Sequence, residues 1–128
     1  GAYQAVNCRL RRPEVFAGAI GLSGLYDMAR FLGSAEDDLI LRNAPLAYLE
    51  LDSIAEKKAL AKAEENNIIL CAGQGAYEGD ALVDTQAMAD ALTDCGLPVH
   101  LEVWGSDVSH NWYWWGKELN LFAARVFG

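Results

Sequence analysis

Two stretches of this sequence hold side chains suited to proton transfer. G-Q-G-A-Y-E-G, from Gly73 to Gly79, carries Glu78. G-S-D-V-S-H-N-W-Y-W-W, from Gly105 to Trp115, carries His110, one of two histidines, amid three of the four tryptophans. A carboxylate that orients an imidazole and stabilises its protonated form makes that imidazole a general base and then a general acid. Asp80 and Asp107 compete with Glu78 for the carboxylate role, and His100 competes with His110. His100 falls inside an apolar stretch, where burial is the expectation. Trp104, Asp107 and Trp112 are candidates for the wall of a pocket beside this pair, while core packing is expected to take at least two of the four tryptophans.

The elements that must bring the pair together are readable from hydrophobic period. The run Val15–Leu22, V-F-A-G-A-I-G-L, predicts a buried strand. I-I-L-C-A-G after Asn66-Asn67 predicts a second, and Val99–Trp104, V-H-L-E-V-W, a third. Helices are predicted over 1–12, stopped by Pro13, from the Ser34 start signature onward, over 52–65, over 81–95 and over 112–127. In 81–95 the apolar face is Ala81, Leu82, Thr85, Met88, Ala89, Leu92 and Cys95, with Asp84, Asp90 and Asp94 largely off it. Gly96 is the stop. In 112–127 the apolar positions are Trp115, Leu119, Phe122, Ala123 and Val126. Strands alternating with helices imply an α/β fold in three layers, a small parallel sheet of about three strands flanked by helices. Glu78 and His110 then follow neighbouring strands at the carboxyl edge, where ligands and catalytic groups gather. About 30 residues separate them, room for one helix and one strand.

A nucleophile is harder to place. Ser23 lies in G-L-S-G-L, close to the G-x-S-x-G elbow, but the fifth position is Leu25, and Ser23 reads as the end of the first strand. Cys71 lies within a strand, and Ser106 and Ser109 are not on an elbow. The glycines of 73–79 invite a dinucleotide reading. That fingerprint needs a ribose-binding acid at the end of the next strand, and here the next strand ends in Trp104-Gly105. No cofactor or metal is expected.

Composition narrows the partners. A net charge of −8 over 128 residues argues against nucleic acid. The one basic cluster, Arg9, Arg11 and Arg12, reads as the solvated end of a helix. No apolar run approaches the ~20 residues of a membrane helix. Cys8, Cys71 and Cys95 are too widely spaced for zinc and read as buried free thiols of a reducing, cytoplasmic compartment.

Three pieces carry a family likeness: G-A-Y-Q-A-V-N with R-R-P-E-V-F-A-G-A-I-G-L-S-G-L-Y-D, then I-I-L-C-A-G-Q-G-A-Y-E, then W-G-S-D-V-S-H-N-W-Y-W-W. Over its whole length the chain resembles the C-terminal half of an esterase of the α/β-hydrolase superfamily, near the esterase D, S-formylglutathione hydrolase and antigen 85 group. The resemblance implies one partial domain over 1–128, Glu78 as triad acid and His110 as triad base. It makes Gly1 the last residue of the elbow, so the nucleophilic serine would lie two positions before it. Ester hydrolysis by this chain alone is then expected at background, with a small ester as the possible ligand. A half hydrolase is expected to self-associate as a homo-oligomer, through the 15–22 strand edge or the Trp112–Trp115 cluster. The alternatives are a free-standing oligomeric binding module and a protein with no function of its own.

Overall fold

The computed structural model describes residues 1–32, 37–50 and 67–127. Their elements run α1 (Ala2–Arg11), β1 (Gly18–Leu22), α2 (Ala29–Leu32), α3 (Asp38–Asn43), α4 (Pro45–Glu50), β2 (Asn67–Ala72), α5 (Gly79–Asp94), β3 (His100–Val103) and α6 (Trp112–Phe127). The Ser34 helix start and the helix over 52–65 lie outside the described residues.

The three strands form one sheet in the order β1-β2-β3, and both pairings are parallel. Alternate side chains of β2 face opposite ways, as the strand period demands. Ile68 and Leu70 join Val6 and Leu10 of α1, Tyr48 and Leu49 of α4, and Met88 and Leu92 of α5 in the larger core. Ile69 and Cys71 face the other way and pack on Phe122 of α6. These are the three expected layers, unequally filled. On β1, Ala19 and Gly21 are buried under the first layer, whereas Ile20 and Leu22 on the α6 side are only half-buried. No helix among the described residues is long and apolar enough to cross a membrane.

Local signals account for most boundaries. Asp37 caps α3 by accepting from the Leu39 N–H. Pro45 opens α4 at the position where a missing N–H costs nothing. Gly96, at φ 77°, closes α5. Its N–H reaches Thr93 O, and the Leu97 N–H reaches Leu92 O, the paired bonds of a Schellman stop.

Several expectations are corrected. β1 begins at Gly18, and Val15 and Phe16 are exposed, because a turn on Arg12 O takes their N–H groups. Arg9 is buried, not solvated; its guanidinium donates to Pro13 O and Phe16 O and so fixes that turn. Asp84 is buried on the inner face of α5, accepting from the Tyr26 and Asp27 N–H groups and pairing with Arg30. Cys95 is exposed, and Cys8 is half-buried; only Cys71 is a buried thiol. The buried stripe of α6 runs through Glu118 and Phe122, and Leu119 is exposed. His100, expected inside, has half its side chain in solvent because β3 is an edge of the sheet among the described residues.

Candidate active site

Two loops leave the carboxyl ends of β2 and β3 and are laced together by backbone. Gln74 N–H donates to Gly105 O, Gly75 N–H to Val108 O and His110 N–H to Ala76 O. The approach is close: a Cβ on Gly73 would sit 2.3 Å from Val108 O, and one on Gly75 would sit 2.6 Å from it. The glycines that suggest a nucleotide loop therefore serve loop-to-loop contact.

That lacing delivers Glu78 to His110. Glu78 Oε2 lies 3.1 Å from His110 Nδ1. Glu78 Oε1 accepts from Ser23 Oγ at 2.6 Å and from the Gly73 N–H at 3.2 Å. The carboxyl is fully buried, 0% exposed, and three donors converge on it, as a buried acceptor requires. Contact with a carboxylate puts the imidazole proton on Nδ1 and leaves Nε2 as the basic nitrogen. An imidazole held this way takes a proton at Nε2 from a hydroxyl and returns it to a leaving group.

The other candidates are elsewhere. Asp80 is exposed and pairs with Arg30 at 3.2 Å. Asp107 is exposed. His100 meets Glu102 at 2.9 Å and Arg125 at 2.8 Å. Glu102 also accepts from Trp104 Nε1. Hydrogen bonds from His100 and Trp104, then Arg125, hold its carboxyl down at about 2.

A cavity of ≈ 480 Å³ opens beside His110. One wall is Gly1, Ala2 and Tyr3 from the start of α1; the floor is Ile20 and Leu22; Trp112 and Trp115 flank the histidine. Of the expected pocket residues Trp112 is in this lining, while Trp104 and Asp107 are outside it. Trp104 instead packs on Trp114 and Phe122. None of the four tryptophans is fully buried; Trp104, half-buried against the Phe122 core, fills the expected core role, and the exposed Trp112 does not.

Two residues of this neighbourhood escape sequence reasoning. Trp115 Nε1 donates to Ser23 Oγ at 3.0 Å. Glu118 is 0% exposed, and neither carboxyl oxygen has a hydrogen-bond partner of normal geometry among the described residues. Burial pushes its carboxyl up to about 7; the Cys71 thiol offsets part of the rise and Glu78 adds to it. The signal for Glu118 was its spacing, three after Trp115 and four before Phe122 on one helical stripe.

With this geometry in view, comparison with solved structures is informative. A ferulic acid esterase matches 99% of the chain with a TM-score of 0.71 at 19% identity. The chain has an α/β fold like that of this esterase. An S-formylglutathione hydrolase from Staphylococcus aureus matches 98% of it, with a TM-score of 0.59 and 16% identity. The fluorophosphonate-binding serine hydrolase F of Staphylococcus aureus matches 99%, with a TM-score of 0.59 and 19% identity. The chain spans about half the length of these structures, covering 49%, 47% and 51% of them. No model of a protein family and no curated protein matches it.

Proposed function

We propose that residues 1–128 are one partial α/β-hydrolase domain, the acid–base half of a carboxylic-ester hydrolase with a Ser-Glu-His triad. Glu78 is the acid and His110 the base. The serine comes from sequence upstream of Gly1, at the centre of an elbow whose last glycine is Gly1.

One observation carries this reading. His110, with Nδ1 on a buried carboxylate, shares its cavity with Gly1. A serine two residues before Gly1 would enter the site from that wall. The half-length likeness to serine hydrolases supports the same division. Without the serine and the amides of an oxyanion hole, most of the rate enhancement is missing, so the isolated chain is inactive. The buried thiol of Cys71 suits a reducing compartment, the cytoplasm.

Upstream coding sequence and hydrolysis of p-nitrophenyl acetate test this together. The expected results are an in-frame G-x-S-x immediately before Gly1, background turnover by residues 1–128, and turnover by the extended chain. Turnover by residues 1–128 that His110→Ala abolishes defeats the assignment of the nucleophile.

A second reading is favoured by the half-buried Ile20 and Leu22 and by Trp112, which is 84% exposed. A free-standing chain would pair these surfaces in a homo-oligomer and act as a binding module. A monomer by light scattering at micromolar concentration removes that reading.

A further inference from the structure

We propose that Ser23 and Trp115 are positioning residues for the acid–base pair, linked as a hydrogen-bond chain that ends on the Glu78 oxygen His110 does not use. The inference rests on Glu78 and His110 forming that pair and goes beyond it by assigning what holds the pair.

The direction of the chain follows from donor inventory. An indole N–H can only donate. Trp115 Nε1 sits 3.0 Å from Ser23 Oγ and therefore occupies an acceptor site on the hydroxyl. The one hydroxyl proton is left for Glu78 Oε1 at 2.6 Å. Ser23 is buried at the margin of the cavity, with both side-chain partners within the protein. This also shows why Ser23 is not the attacking atom: it sits on the acid's side of the pair, with its proton committed to the carboxylate rather than to the imidazole.

The backbone is built for the same purpose. Ser23 N–H donates to Cys71 O and continues the β1–β2 ladder one residue past the strand. Its φ of 51° then turns the chain sharply. A β-branched residue resists that conformation, which disfavours threonine as the source of the hydroxyl. At the other end, the Trp115 ring meets His110 edge-on with centroids 4.7 Å apart. One side chain thus touches the base directly and reaches the acid through a single hydroxyl. With Oε1 held by Ser23 and Gly73, Oε2 stays directed at Nδ1.

The test follows the Nδ1–H proton of His110 by proton NMR, where a proton shared with a carboxylate resonates at low field. In the wild-type chain the resonance is expected to exchange slowly with water. Ser23→Gly deletes the hydroxyl and relieves the left-handed backbone; Ser23→Ala deletes the hydroxyl and keeps that backbone. Both are expected to speed exchange at least tenfold. Trp115→Phe keeps a ring against His110 and removes only the indole N–H; it is expected to speed exchange about threefold, and it decides the matter if the Ser23 variants do not fold. An unmoved resonance in Ser23→Gly or in Trp115→Phe overturns the proposal. Faster exchange in Ser23→Ala but not in Ser23→Gly assigns the effect to backbone strain and also overturns it. Absence of the resonance in the wild-type chain removes the acid–base pair itself, and with it the function proposed above.

Discussion

The described residues contain two histidine–glutamate pairs, and their surroundings differ more than their distances. His110 and Glu78 meet at 3.1 Å, His100 and Glu102 at 2.9 Å. Glu78 is sealed from solvent and receives neutral donors beside the imidazole: a hydroxyl and a backbone amide. Glu102 is partly wet and receives Arg125, whose guanidinium also meets His100. A permanent cation therefore shares the Glu102 carboxylate with the imidazole. Among the described residues no guanidinium or ammonium meets Glu78, and the first pair stands at a cavity at the carboxyl ends of the strands. The second stands at a smaller cavity, ≈ 310 Å³, near their amino ends. Distance alone does not select a site; burial and the charge of the third partner do.

Substitution separates the pairs most strongly in catalysis. In the extended chain carrying the upstream serine, His110→Ala is expected to lower kcat/KM for p-nitrophenyl acetate roughly 10⁵-fold, whereas His100→Ala changes it less than about twofold. Equal losses would erase the distinction.

Glu118 sharpens the contrast through pH. In the folded protein its carboxyl, raised by burial, titrates at about 7, above the ordinary 4.5. The folded state therefore holds the proton more tightly, and stability falls as pH rises from about 4.5 through 7, by about 3 kcal/mol in all. Urea melts of Glu118→Gln are expected to lose that slope between pH 5 and pH 8. A slope that persists would assign it to other groups.

The smallest effect belongs to Glu102. Its carboxyl, held at about 2, contributes stability above about 4.5 that disappears as pH falls toward 2. Solvent and salt screen this cluster, so Glu102→Gln should cost less than about 1 kcal/mol at pH 7 and nothing below pH 2. Thermal melts across that range check it.

The parallel sheet was readable because β1 and β2 lie in near-continuous apolar runs and β3 alternates apolar with polar residues, and the helix over 81–95 because its face repeats at helical spacing. Glu78 and His110 were readable because each follows a strand at the same edge. Charged groups that turn inward were not. Arg9, Asp84 and Glu118 are buried by particular partners or by a helix stripe, and residue type alone places all three outside. Ser23 reads as a strand end, which it is; its hydroxyl's partners come from residues 55 and 92 positions away, and no local pattern announces them. The exposure of His100 depends on which strand lies at the edge, a property of sheet order and not of the strand's own sequence.

The lacing between the two loops has a consequence for how freely this sequence can drift. Main-chain amides and carbonyls do the stitching, so the geometry is indifferent to what hangs from most positions along it. Ala76, Ser106 and Asp107 can change while Glu78 and His110 keep their separation, whereas the Gln74 amide is itself a stitch to Trp104 O and Gly73 and Gly75 leave no room for even a methyl group. A saturation library across 73–79 and 105–110 would show broad acceptance, broken at those two glycines, at the buried Val108, and at Glu78 and His110.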